Sequence, residues 1–195
     1  FIFILSPVDS MVRKEFFMKE KKKIWFYIIG TFLLAFPFHF GYDILPNQVS
    51  AIFFPVNESI WEHMKMLFTT YLWFGVIEYP LLKHFRQDTK NEWFALWICS
   101  LLIIPIFLLL FLPIYSIIGE QMIVTIVLMF IAIAITKWIQ FHLLEHVQDY
   151  RNLNILTLIL VVISYVIFAL LTFYPPRASL FRDPQNDTYG ITEKR

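Results

Sequence analysis

Between Phe38 and Lys65 the chain reads FHFGYDILPNQVSAIFFPVNESIWEHMK. This stretch holds His39, Asp43, Asn57, Glu58, Glu62, His63 and Lys65. Carboxylates and imidazoles are the donors that zinc and other divalent transition ions take. An imidazole near neutrality also moves protons. If a helix starts near Ser59, Glu58, Glu62 and Lys65 share one face, because residues three and four apart are neighbours on a helix. His63 lies one position round from Glu62. The chemistry these types and spacings suggest is a polar ligand pocket, with Glu58, Glu62 and His63 as metal ligands and zinc or a similar divalent ion as the cofactor. A plainer reading covers some of the same residues. Ser59-x-x-Glu62 matches a capping box, Asn57 offers an alternative cap, and Trp61 suits a membrane interface. His39 and Asp43, four apart, either cap the preceding helix or join the group.

A second candidate is His142-Leu-Leu-Glu145-His146, which matches the inverted H-x-x-E-H zinc pattern. On a helix His142 and His146 share a face, with Glu145 as the base. Third ligands within reach by chain topology are Glu78, His84, Asp88 and Asp149. The simpler account is a solvated helix end, where histidines suit the negative pole of the dipole. Whether this segment binds metal stays open at this stage.

The elements that must carry these residues follow from composition. Hydrophobic residues make up 58% of the 195 and charged residues 16%. A soluble domain has about 25% charged residues, so this chain has too little polar surface to cover itself in water. A disordered chain, a collagen-like chain and a nucleic-acid binder are excluded, and the lipid bilayer is the expected partner. A single cysteine, Cys99, excludes an intrachain disulfide framework. Five runs carry at most one charge: Ile24–Tyr42, Met66–Leu82 (with Glu78), Trp93–Gly119, Gln121–Phe141 (with Lys137) and Asn152–Pro176. A spanning helix needs about 20 apolar residues, and each run qualifies if Lys137 snorkels to the interface. Glu78 is expected near the cytoplasmic interface, paired with Lys83 or Lys137. The runs are too long and too unbroken for membrane strands. The expected fold is an all-α, polytopic bundle of about five transmembrane helices in the cell membrane.

Direction follows from Lys and Arg. Eleven of the sixteen lie before the first span or in the second and fourth connections. This places the N-terminus in the cytoplasm and the C-terminal tail outside. It also puts His39–Lys65 and the tail on one side of the membrane and the HLLEH segment on the other. The expected division is a cytoplasmic segment 1–23, in which Met11 and Met18 are the candidate starts and 1–17 need not be native, a single transmembrane domain 24–176 and an external tail 177–195.

The tail reads PPRASLFRDPQNDTYGITEKR. Asp183-Pro184 and Tyr189-Gly190 are turn signals, and Leu180, Phe181, Tyr189 and Ile191 are apolar enough to fold it over the outer mouth. Taken together, FHFGYD, PVNESIWEH and FRDPQNDTYGI resemble the motifs of a domain-of-unknown-function family of small five-helix bacterial integral membrane proteins. That family carries V-N-E-S-x-W-E-H and a C-terminal F-x-D-P-x-x-x-x-Y-G. The resemblance runs from about Met18 onward. It departs at Arg177, where similar chains often read Pro-Pro-His. It implies that His39, Asp43, Asn57, Glu58, Trp61, Glu62, His63, Lys65, Asp183, Pro184, Tyr189 and Gly190 belong to one pattern, and it implies no chemistry. The candidate ligand-binding set is thus His39, Asp43, Asn57, Glu58, Glu62, His63, Lys65, Asp183 and Tyr189.

Three classes of function remain: an outer-face ligand- or metal-binding membrane protein, a membrane-embedded metal-assisted hydrolase acting on a lipid or peptide, and an accessory subunit that docks a membrane protein partner or a second copy of itself. The charge asymmetry gives a direct test of direction. A reporter fused after Arg195 is expected to read as external and one placed between Lys83 and Lys90 as cytoplasmic. An external reading in the Lys83–Lys90 connection reverses the assignment.

Overall fold

The structure, a computed structural model, describes residues 24–84, 90–119, 121–145 and 149–191. Among these the architecture is α-helical, closed by one small hairpin. Helix α1 runs Ile24–Ile44, α2 Gln48–Phe53, α3 Ile60–His84, α4 Glu92–Ile118, α5 Met122–Glu145 and α6 Asn154–Phe173. Strands β1 (Arg182–Asp183) and β2 (Thr188–Tyr189) pair antiparallel in the tail.

Helices α1, α4, α5 and α6 are long and apolar enough to cross a membrane. Their outer surfaces are apolar, with Leu33, Leu109, Ile117, Ile123, Ile155 and Val162 exposed. Helix α3 is of similar length but reads differently. Glu62, Lys65, Thr69, Thr70 and Glu78 are all buried on it, beside Met66, Leu67, Phe68 and Tyr71. Its polar residues face neighbouring helices rather than a solvent, which is why it lacks the apolarity of the other four. It packs along α4, and α4 in turn packs on α5 and α6. The approach of α3 to α4 depends on Gly75, where a Cβ would lie 2.0 Å from Leu96 Cδ1. Helix α1 joins through Tyr27 against Phe141 of α5 and Phe32 against Phe130 of α5.

Lys137 corrects an expectation. It does not reach an interface; it is fully buried, bonded to the Glu78 carboxylate and lying 4.4 Å from the centre of the Tyr71 ring. The surrounding helices supply a carboxylate and an aromatic face, so the charge need not escape to water.

At the other end of α3 a buried clasp joins three elements. Lys65 Nζ lies 2.6 Å from Glu62 Oε2 and donates to Ala51 O of α2 at 2.7 Å and to Thr172 Oγ1 of α6 at 2.9 Å. Thr172 Oγ1 donates to Glu62 Oε1 at 2.8 Å, and the Val56 N–H donates to Glu62 Oε2 at 3.1 Å. Neither charged side chain reaches solvent to a useful extent. Helix α2 sits in place because Asn47 caps it, accepting from Val49 N at 3.0 Å and Ser50 N at 2.9 Å while Ser50 Oγ accepts from Asn47 N at 3.1 Å.

Removing one partner of a buried ion pair leaves an uncompensated charge, at about 3–5 kcal/mol. Lys65→Met is therefore expected to lower thermal stability in detergent by that order. The double variant Glu62→Gln/Lys65→Met is expected to recover part of the loss, with a coupling of about 0.5–3 kcal/mol in a double-mutant cycle. Strict additivity would mean that the two residues do not hold each other.

Candidate functional site

Above the clasp three side chains converge. His39 closes the straight part of α1, immediately before the turn at Phe40. Pro37 cannot donate to the carbonyl of Leu33, which weakens the ladder there. Glu58 lies in the connection just before α3, and His63 is on the first turn of α3. Their placement is set locally. Ser59 N donates to Asn57 Oδ1 at 2.9 Å, and Glu62 N to Ser59 Oγ at 3.3 Å. Ser59 thus supplies one half of the expected capping box. The other half is absent, because the Glu62 carboxylate belongs to the clasp and bonds Val56 N instead of Ser59 N.

His39 Nε2 lies 3.3 Å from Glu58 Oε1, and His63 Nε2 lies 3.5 Å from Glu58 Oε2. One ligand atom from each residue falls within 4.8 Å of the others. All three residues are half-buried. The hydrogen bonding of His63 fixes its tautomer. Its Nδ1 is 3.0 Å from the Ser59 carbonyl, and a carbonyl only accepts, so Nδ1 carries the proton. The neutral ring then turns the lone pair on Nε2 toward a carboxylate, which is favourable only with a cation between them, a proton or a metal. A ring nitrogen held by a backbone carbonyl is also how ligating histidines are commonly oriented. The hydrogen bond from His39, with the positive charge it brings, holds the Glu58 carboxyl below the usual carboxylate range.

Two hollows open onto this group. A small one is lined by Glu58, His63, Tyr115, Thr125 and Arg182. A larger cavity of about 370 Å³ runs down between α1 and α5 over Phe32, Phe36, Met66 and Met129, with His39, Glu58 and His63 at its mouth. The group therefore borders both a small hollow of mixed lining and a larger, mainly apolar one.

The tail folds over this end. Phe181 stacks on Trp61 at 4.9 Å, and the Gly190 carbonyl accepts from Asn57 Nδ2 at 3.0 Å. Gly190 has φ 61°, and a Cβ there would lie 2.6 Å from the Thr172 carbonyl, so the close approach of tail to α6 needs glycine. Asp183 is buried but serves its own turn, accepting from Gln185 N at 2.9 Å and Asn186 Nδ2 at 3.1 Å. Tyr189 pairs with Arg182 across the hairpin. Arg182 bonds Asp187, which keeps the Asp187 carboxyl below its ordinary range.

The sequence-derived set thus separates. His39, Glu58 and His63 come together. Glu62 and Lys65 form the clasp, and Glu62, expected as a metal ligand, has both oxygens engaged there, so His39 takes the third place. Asn57, Asp183 and Tyr189 hold the connection and the tail. Asp43 is exposed on the last turn of α1. In the HLLEH segment the His142 ring stacks on Trp138 at 5.7 Å; the Glu145 side chain and His146 lie outside what the structure describes, as does Asp88. Asp149 lies 2.6 Å from Arg151 and 3.9 Å from Lys90. The signal that could have selected His39 over Glu62 was its place two residues after Pro37, at the end of a helix next to the connection.

Comparison with known proteins gives a family and nothing further. No curated protein and no solved structure matches the chain. The model of a family of unknown function, DUF6512, matches residues 12–191. That match spans nearly the whole sequence, and the chain belongs to this family.

Proposed function

We propose that this chain is a multi-pass protein of the cell membrane whose outer mouth carries a zinc site built by His39, Glu58 and His63. In this reading α3 is a fifth crossing, sheathed by the four apolar helices; its 25 residues rise about 37 Å at 1.5 Å per residue, enough for a hydrocarbon core of about 30 Å. The basic residues put the N-terminus inside and the tail outside. The observation that carries the site is the convergence of two imidazoles and a carboxylate within 4.8 Å, one imidazole with its Nε2 lone pair aimed at the carboxylate.

Three protein ligands with a fourth position open to a hollow is the arrangement of catalytic rather than structural zinc. Such a site lowers the pKa of bound water to about 7 and polarises a carbonyl. The cavity below the group supplies a place for an apolar chain, and Arg182 on the other side supplies a cation for an oxyanion or an acidic headgroup. The reaction class these surroundings support is metal-assisted hydrolysis of an acyl-chain-bearing amphiphile at the outer face. A purely accessory role has no use for the open hollow beside the ligands. The tail, with Asn57 and Trp61, acts as a fixed cover for the site.

The test is metal content. Protein purified in detergent and dialysed against zinc is expected to retain about one equivalent. His39→Ala and His63→Ala are expected to lose it, and Glu62→Gln and Asp43→Asn to keep it. Retention is also expected to fall below about pH 6.5, where histidine takes up a proton and competes with the metal. No retention in the parent protein, or equal retention in His63→Ala, would contradict the reading.

A further inference from the structure

Fifteen residues beyond His63 on α3, about 22 Å along the helix, lies a second buried polar group that the zinc site does not use. Lys137 of α5 binds the Glu78 carboxylate, and both side chains are fully buried. Lys137 Nζ also donates to Gln140 Oε1 at 3.1 Å, and the Tyr71 hydroxyl donates to the same oxygen. With its oxygen occupied by two donors, the Gln140 amide turns Nε2 outward and donates to Glu92 Oε1 of α4 at 3.1 Å. The orientation of the amide is set by this chain of bonds.

The charges do not balance. There are two carboxylates and one ammonium, and Lys137 is spent on Glu78. The partner of Glu92 is a neutral amide. Among the described residues the other titratable groups facing the network are Tyr71 of α3 and Cys99 of α4. Neither supplies a positive charge at neutral pH. Glu78 Oε1 and Glu92 Oε2 are buried without a hydrogen-bond partner. An unpaired carboxylate in such surroundings takes up a proton rather than remain charged. Glu92 lies in the first turn of α4, whose dipole favours an anion, but a partial charge at a helix end offsets only part of the cost of burying a full one.

We infer that Glu92 holds an exchangeable proton and that Glu92, Gln140, Lys137 and Glu78 form a proton-binding site inside the bundle, at the end opposite the zinc site. Glu92 adjoins the Lys90–Asn91 turn, which gives the proton a short route to that surface. Gln140 links the loaded carboxyl to the Glu78–Lys137 pair, so a change in one is felt by the other. The inference stands whether or not the outer group binds zinc.

Infrared spectroscopy of the full chain in detergent at neutral pH reads it directly. The parent protein is expected to show a protonated-carboxyl C=O band that shifts in D₂O. The band is expected to disappear in Glu92→Gln, which has the shape of the protonated acid and is expected to fold, and to persist in Glu78→Gln/Lys137→Met, which removes the other acid together with the cation that would otherwise pass to Glu92. Where Glu92→Gln does not fold, Glu92→Asp is expected to move the band. Absence of the band from the parent protein overturns the inference. So does a band lost in Glu78→Gln/Lys137→Met, or one unmoved in Glu92→Asp.

Discussion

Lys65 gives up every contact with water to bind Glu62, Thr172 and the Ala51 carbonyl, and the end of the bundle that carries His39, Glu58 and His63 is arranged around that exchange. Burying two charges is favourable only when the geometry is close and the remaining donors and acceptors are used. Here they are. The lysine ties α2, α3 and α6, and the carboxylate holds the backbone of Val56. The consequence for Glu58 and His63 is geometric. The chain from Val56 to His63 is pinned at Val56 and again at Glu62, so the residues between and beside those points have little freedom. The clasp therefore positions Glu58 and His63 without belonging to the group they form with His39.

Helix α3 inverts the usual amphipathic arrangement. The four helices around it present apolar surface outward, while its own polar residues are divided between its two ends: Glu62 and Lys65 at one, Glu78 at the other. Each end solves the problem of a buried carboxylate in a different way. At the clasp end a lysine three residues along the same helix neutralises it. At the opposite end the cation comes from α5 and is held by Glu78, which leaves Glu92 with a neutral amide. The difference between a closed account of charges and an open one is what separates a structural clasp from a group that must take up a proton.

Much of this was legible in residue pattern. The four apolar helices follow from runs of uncharged residues, and the capping of α3 by Ser59 follows from its spacing ahead of Glu62. What the pattern could not carry was direction. A helical face admits Glu58, Glu62 and Lys65 together, yet Glu62 turns toward α6 because Thr172 waits there, 110 residues away in the chain. His39 was visible as a residue four before Asp43, but its partner lies across a connection whose path depends on the capped helix α2. Lys137 was read both as a snorkelling end and as one of two candidate partners of Glu78; the pairing holds, but nothing local marks the Tyr71 ring that lets the pair stay buried. The tail was the reverse case. Its position at a chain end allowed a disordered segment and its turn residues and apolar positions a folded one; Phe181 against Trp61 and Gly190 against Asn57 and α6 decide for the second.

The central claim is that two imidazoles and one carboxylate, held by the end of α1 and the clasped start of α3, coordinate a metal. X-ray absorption at the zinc edge of zinc-loaded protein tests it most directly. The account predicts a sulfur-free shell of nitrogen and oxygen donors at about 2.0–2.2 Å, with imidazole scattering reduced in His39→Ala. A shell containing sulfur, or one unchanged when His39 is replaced, would contradict it.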